Sequence, residues 1–259
     1  LDKIQNFLNN GNSEIQCDIT KLANDEIGHL NDLDGIDCPI CKNKGYILLD
    51  DDNGVTQSLV SCKCMHLRKV KRLADESGLG ELLKHRVKNY EAKEEWQKKV
   101  KNTAAHYVRT DNNCWFCMLG QSGAGKTHIC SAICNAFMEM YKDVRYLAWN
   151  DFATFYKENM KNVASKDLMR EYQQVEVLYI DDLFKGADTE YDIKNIAFDL
   201  INYRYNNRLK TIISSERSFK QLCELDEAIA YRIAEMCQDY LIRIPKTQSN
   251  NYRIKKSKV

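Results

Sequence analysis

The sequence predicts an α/β protein with a phosphate-binding loop, a parallel five-stranded sheet and a small helical, zinc-ribbon-like module ahead of that core. Three observations predict it. Residues 120–127 read G-x-x-x-x-G-K-T, with an apolar run before them and a helix-period stretch after them; this is the strand–loop–helix setting that the spacing requires. A second apolar run, 175–180, ends in Asp181 and Asp182, which puts acids at the carboxyl end of a buried strand, where open α/β sheets bind ligands. Cys38 and Cys41, then Cys62 and Cys64, flank a hairpin pattern. Two cysteine pairs joined in this way offer four thiolates to one tetrahedral metal.

With 259 residues the chain has room for one sizeable domain and a small accessory module. Its content of 44% hydrophobic and 29% charged residues is ordinary for a globular protein. A net charge of +1 excludes a global attraction to polyanions, so any nucleic-acid contact has to come from local patches. No run approaches the ~18 apolar residues of a membrane span, and no secretory signal is visible, although the first residue is Leu1. The expectation is a cytoplasmic chain with reduced thiols and no membrane partner. Of the eleven cysteines, Cys114, Cys117, Cys130, Cys134, Cys223 and Cys237 are expected to pack as small hydrophobes. The C-x-x-C at Cys114 and Cys117 fits a strand feeding the phosphate loop better than a redox pair.

In chain order, residues 1–35 read as a polar helical segment with sparse apolar positions such as Phe7, Leu22 and Leu30, either binding a partner or capping the next module. Residues 36–66 read as the zinc-binding module, with strand-like runs on either side of an Asn53-Gly54 turn. The second cysteine pair is C-x-C, tighter than usual, which leaves His66 open as a replacement for one cysteine. A closed four-cysteine site has no open position, so the expectation is structural Zn²⁺ without zinc chemistry. Residues 67–81, with Arg68, Lys69, Lys71 and Arg72, read as a basic helical connector, and 82–259 as the main domain. There, strands over 114–119, 144–148, 175–180, 210–215 and 241–244 alternate with helices over 129–141, about 150–160, 192–206 and 227–237. Such alternation implies a parallel sheet covered on both faces.

The chemistry follows from the loop and the acids. Gly120, Gln121, Ser122, Gly123, Ala124 and Gly125 bring backbone N–H groups to phosphate oxygens, and His128 completes the run into a helix whose N-terminus carries positive partial charge. Lys126 reaches the β- and γ-phosphates, and Thr127 offers its hydroxyl to Mg²⁺. Asp181 is placed to orient the Mg²⁺ and Asp182 to polarise an attacking water, so ATP with Mg²⁺ is the expected ligand.

With its motifs in this order the chain resembles the AAA+ ATPases, and within them the bacterial helicase loaders of the DnaC and DnaI type. The carrying residues are GQSGAGKTH (120–128), VLYIDDLF (177–184), RYNNRLKTIISSE (204–216), DEAIAYRI (226–233) and NYRIKK (251–256). The CPIC and CKC pairs with Gly45 and Tyr46 are similar to the zinc-binding N-terminal domain of the DnaI branch. The resemblance implies an AAA+ ATPase domain over 82–259, and a chain ending shortly after its last strand implies no C-terminal lid. It implies a sensor residue near the tip of the strand ending Ser214-Ser215-Glu216, with Ser215 preferred, and an arginine finger at Arg232, with Arg204 in reserve. Arg253 would touch nucleotide phosphate within the same subunit. Asp182, where many of the family carry Glu, implies slow hydrolysis suited to a switch.

The resemblance further implies ATP-controlled delivery of a ring-shaped hexameric replicative helicase of the DnaB type onto single-stranded DNA, with copies of the chain assembling side by side. Lys157, Lys161, Lys185 and Lys194, with Phe155 or Tyr156, are the candidate DNA contacts. Two other readings stay open: a transposition helper ATPase of the IstB type, which typically lacks the zinc module, and an adaptor that binds nucleotide without hydrolysing it.

Overall fold

A computed structural model describes residues 20–50, 57–76, 80–110, 112–140, 142–247 and 251. The chain divides into two compact units, Leu1–Glu76 and Ser77–Val259.

The first unit holds a helical turn over 20–25, helix α1 (Leu30–Asp34), strands β1 (Tyr46–Asp50) and β2 (Gln57–Ser61), and helix α2 (Cys64–Glu76). The strands form the expected antiparallel hairpin, in a register that pairs Tyr46 with Ser61 and Asp50 with Gln57; the Asn53-Gly54 turn lies outside the described residues. Polar side chains tie the leading helical turn to the hairpin. Asn24 exchanges hydrogen bonds with the backbone of Leu48, and the Thr20 hydroxyl donates to Asp50. The expected connector is different. Residues 67–76 are part of α2 and belong to this unit, because Arg68 is buried and donates to Asp34, to the Ile36 carbonyl and to Asn43.

The second unit begins with two 3₁₀ turns, Gly80–Lys84 and Val87–Asn89, and helix α3 (Glu95–Arg109). A parallel sheet follows, from strands β3 (Phe116–Leu119), β4 (Val144–Ala148), β5 (Val177–Asp181), β6 (Lys210–Ser215) and β7 (Leu241–Arg243) in the order β4-β5-β6-β3-β7. β3 and β5 are buried along their whole length, as near-continuous apolar runs between two helical layers should be. The crossovers are α4 (Lys126–Glu139), α5 (Trp149–Glu158) with α6 (Val163–Gln174), a π-helical turn (Asp192–Ala197) running into α7 (Phe198–Asn206), and α8 (Phe219–Leu225) with α9 (Glu227–Cys237). Helices α6 and α8 have no counterpart in the sequence-based expectation. Among the described residues, none beyond β7 is helical.

The strand order matters for chemistry. It sets β6 between β5 and β3, so the acids ending β5, the serines ending β6 and the loop leaving β3 meet at one carboxyl edge.

Candidate nucleotide and metal sites

The loop leaving β3 is shaped by its glycines. Gly125, at φ +82°, caps α4, and Gly123 sits at φ +75°, a left-handed backbone that a side chain strains. A Cβ on Gly123 would lie 2.2 Å from Asn251 Oδ1, and one on Gly120 would lie 2.8 Å from Ile244 Cβ. Ala124 is buried beneath the loop. Lys126, the first residue of α4, is buried and donates to the Gln121 carbonyl at 3.0 Å, closing the loop across the phosphate position. Burial pushes its pKa down, opposed by the charges of Asp182 and Glu216. Gln121 in turn donates to the Thr247 carbonyl at 2.7 Å.

These residues open onto a cavity of about 380 Å³, within the size range of small-molecule sites. Ser122, Gly123, Gly125, Lys126, Thr127 and His128 line one part; Asp182, Lys185 and Glu216 line another; Asn89, Tyr90 and Glu91 supply the rest. The last three carry no sequence motif, because a 3₁₀ turn before α3 has neither periodicity nor a spacing rule. Ring contacts place Tyr90: its ring is tilted 5.6 Å from His128, which itself stacks 4.3 Å from the His85 ring, and a Cβ on Gly125 would come within 3.0 Å of Tyr90. Lys185 and Glu216 had a signal in the sequence, as charged residues just past the carboxyl ends of strands.

Asp181 and Asp182 take separate roles. Asp181 is buried and accepts from Tyr146 Oη at 2.9 Å, from Tyr179 Oη and Ser214 Oγ at 2.5 Å each, and from Thr127 Oγ1 at 3.4 Å. A carboxylate held beside a threonine hydroxyl at the N-terminus of α4 is a hard oxygen pair of the kind that suits Mg²⁺. Asp182 sits at φ +52° in a tight turn and points into the cavity, 2.8 Å from Lys185 Nζ. Ser215 is not in the cavity. Its hydroxyl turns inward to the Leu183 carbonyl at 2.7 Å, whereas Ser214 binds Asp181 and Glu216 reaches the cavity. Alternation along β6 decides this, since neighbouring residues face opposite sides of a sheet.

Of the arginines, Arg232 lies outside its own cavity. It donates to the Ala228 carbonyl, and its guanidinium stacks 5.2 Å from the Phe198 ring and 5.5 Å from the Tyr205 ring. Ala230, Ile233 and Cys237 of the same helix are buried, as the helical period predicts. Arg204 is not available as a finger: it is fully buried and donates to Thr211 Oγ1 and to the carbonyls of Tyr172, Gln173, Val175 and Lys210. Arg253 lies outside the described residues.

The candidate DNA lysines are mostly engaged. Lys157 pairs with the buried Asp192 at 2.9 Å, Lys194 with Glu190, and Lys185 belongs to the nucleotide cavity. Lys161 is exposed; Phe155 is exposed, whereas Tyr156 packs against the core.

In the first unit the sulfurs of Cys38, Cys41, Cys62 and Cys64 all lie within 4.8 Å of one another, and all four residues are buried. Cys38 and Cys62 sulfurs are 3.8 Å apart, and Cys41 and Cys64 sulfurs 3.5 Å. A zinc–sulfur bond of about 2.3 Å puts tetrahedral sulfurs roughly 3.8 Å apart, so the cluster fits a zinc ion. His66 is not part of this group. Lys42, Asn43 and Gly45 turn left-handed after the first pair, which lets the Gly45 N–H donate to Cys41 Sγ at 3.3 Å. Burial works against ionising Cys41, but that N–H and the neighbouring thiols outweigh it and bring its pKa down to about 7. Burial pushes Cys64 up to about 12.

The sequence model of the bacterial DnaA ATPase domain matches residues 87–237. The phage-like element PBSX protein XkdC of Bacillus subtilis (strain 168) is 32% identical over 229 residues, 83% of this chain and 84% of that protein. The DnaC helicase loader structure superposes with a TM-score of 0.57 at 22% identity, covering 64% of this chain and 99% of that one. The DnaI structure gives 0.54 at 19% identity, covering 67% of this chain and 93% of that one. Among the described residues no helix is long and apolar enough to cross a membrane. A phosphate loop, an acid-tipped β5 and a family match spanning both lead to one conclusion: the chain belongs to the family of the bacterial DnaA ATPase domain, with the AAA+ fold that the DnaC and DnaI proteins share.

Proposed function

We infer that this chain is an ATP-dependent loader that delivers a ring-shaped hexameric replicative helicase onto single-stranded DNA. The observation that carries the reading is the pairing of two parts: a nucleotide cavity in a fold shared with DnaC and DnaI, and a separate four-cysteine unit. In this reading the loop amides, the N-terminus of α4 and Lys126 hold the ATP phosphates. Thr127 and Asp181 would hold Mg²⁺, which would supply neutralisation of phosphate charge. Asp182 orients the water whose oxygen attacks the γ-phosphorus as the bond to the β–γ bridging oxygen breaks, giving ADP and phosphate. Zn²⁺ on Cys38, Cys41, Cys62 and Cys64 would hold the first unit in shape to grip the helicase. ATP sets side-by-side assembly of the chains in the cytoplasm, and hydrolysis releases them.

The test is capture of the host DnaB-type helicase by the tagged full chain, with ATP, with ADP and without nucleotide. Stable capture that changes between ATP and ADP supports the loader. No capture under any condition, with both proteins folded, removes it and leaves the adaptor or transposition readings.

A further inference from the structure

The turn after β5 carries a feature beyond the two acids. Asp182 and Phe184 sit at φ +52° and +63°, and Gly186 at φ +76°, with Asn150 Oδ1 2.7 Å from where a Gly186 Cβ would stand. Left-handed backbone at two non-glycine residues is costly, and it persists where the surroundings hold it in place. What it achieves is to bring Lys185 back over Asp182. The Lys185 ammonium lies 2.8 Å from Asp182 Oδ2 and 2.8 Å from Glu216 Oε1, bridging the ends of β5 and β6. Glu216 also accepts a hydrogen bond from Ser122 of the phosphate loop and is drawn by the charge of Lys126. Lys126 and Lys185 therefore share the same two carboxylates, on the wall of one cavity.

We propose that Lys185 is a second phosphate lysine, which selects ATP over ADP by donating to the γ-phosphate from its place between Asp182 and Glu216. This rests on the ATP reading of the same cavity. An ammonium has three N–H donors; Asp182 and Glu216 account for two, and the third remains for the nucleotide. The charge balance gives the reason. Two carboxylates facing a terminal phosphate repel it, and a lysine between them offsets part of that repulsion and offers the phosphate a charged donor. ADP ends one phosphoryl group earlier and keeps the loop amides on its α- and β-phosphates and Lys126 on its β-phosphate, whereas ATP adds Lys185 to Lys126 at the γ-phosphate. Lys185 thereby also keeps Asp182 oriented until ATP arrives. An idle surface ion pair would contribute little and would need neither the strained turn nor a place on the cavity wall.

The test compares the dissociation constants of ADP and of a non-hydrolysable ATP analogue for the full-length chain and for Lys185→Met and Lys185→Arg. Loss of one charge-assisted hydrogen bond predicts that Lys185→Met weakens the ATP analogue roughly tenfold or more, leaves ADP within about twofold, and that Lys185→Arg keeps most of the preference. Equal weakening of both nucleotides assigns Lys185 to cavity shape and overturns the proposal, as does no change, or tighter binding of the ATP analogue. A wild-type chain that binds neither nucleotide removes the ATP reading itself, which separates the two failures.

Discussion

Single residues divide by whether their role depends on spacing or on shape. Lys126, Thr127 and Asp181 were legible because a loop, a helix start and a strand end are read directly from the order of residues, and the structure puts Thr127 and Asp181 3.4 Å apart. Arg204 was not legible. Its acceptors are the carbonyls of Tyr172, Gln173 and Val175, where α6 runs into β5, together with Lys210 and Thr211, and no spacing rule links an arginine to a bend so far upstream. Burial pushes its pKa down to about 9, yet the guanidinium remains charged at neutral pH and serves as a rivet between two crossovers. Arg204→Met strands those buried carbonyls, each costing about 1–3 kcal/mol when unmatched, so a loss of about 3 kcal/mol or more is expected in urea unfolding. Arg204→Lys, with three donors for five bonds, should recover only part of it. A loss under about 1 kcal/mol for the Met variant would show the rivet to be idle.

At the scale of elements, buried strands were easy and polar helices were hard. Each sheet strand was placed within a few residues because parallel strands under two helical layers are nearly continuous apolar runs. Helix α6 escaped because its buried positions include Ser165 and Gln173 beside Met169, which breaks the apolar period that announces a helix. Ser165 is satisfied by the carbonyls of Asn159 and Asn162, a local arrangement with no outward pattern. The hairpin with its cysteines was legible, and its packing sets up a test of whether it depends on metal. The buried cluster beside the hairpin consists of the four cysteines, with Ile47 packed against them. With so little apolar area in this cluster, metal–ligand bonds are expected to carry the hairpin's fold, as in other small metal-dependent modules. Elemental analysis of protein purified under reducing, chelator-free conditions should find about one zinc per chain. Removing it should abolish amide-exchange protection of β1 and β2 while protection of β3, β5 and β6 survives. Protection of the hairpin after complete zinc removal would show that the cysteines merely pack.

At the scale of the molecule, the candidate arginine finger stands apart from the cavity of its own chain. The cavity's cations, Lys126 and Lys185, sit on the phosphate side, and no arginine of the same unit lines it among the described residues. Arg232 is turned to another face, held on Phe198 and Tyr205. Cation–π stacking of this kind is worth about 0.5–2 kcal/mol, enough to keep the side chain ordered and little enough to release it. If Arg232 serves the γ-phosphate of a neighbouring copy, then Arg232→Ala should bind ATP as the wild type does, and lose the hydrolysis stimulated by DNA or helicase. Lys126→Ala should lose nucleotide binding with little change in thermal unfolding, because among the described residues its ammonium makes one hydrogen bond, to the Gln121 carbonyl, and its attraction to Asp182 and Glu216 is opposed by burial. The two variants together make the decisive measurement. In a head-to-tail assembly of an equal mixture, about a quarter of the interfaces join an intact phosphate loop from one chain to an intact arginine from the next. An arginine supplied in trans is worth roughly 10³–10⁵ in rate in well-studied GTPases, so even that fraction stands far above either variant alone. Turnover regained on mixing places Arg232 at the neighbour's phosphate. No recovery, under conditions where wild-type chains co-assemble, removes the trans role and leaves the stack on Phe198 and Tyr205 as a purely structural contact.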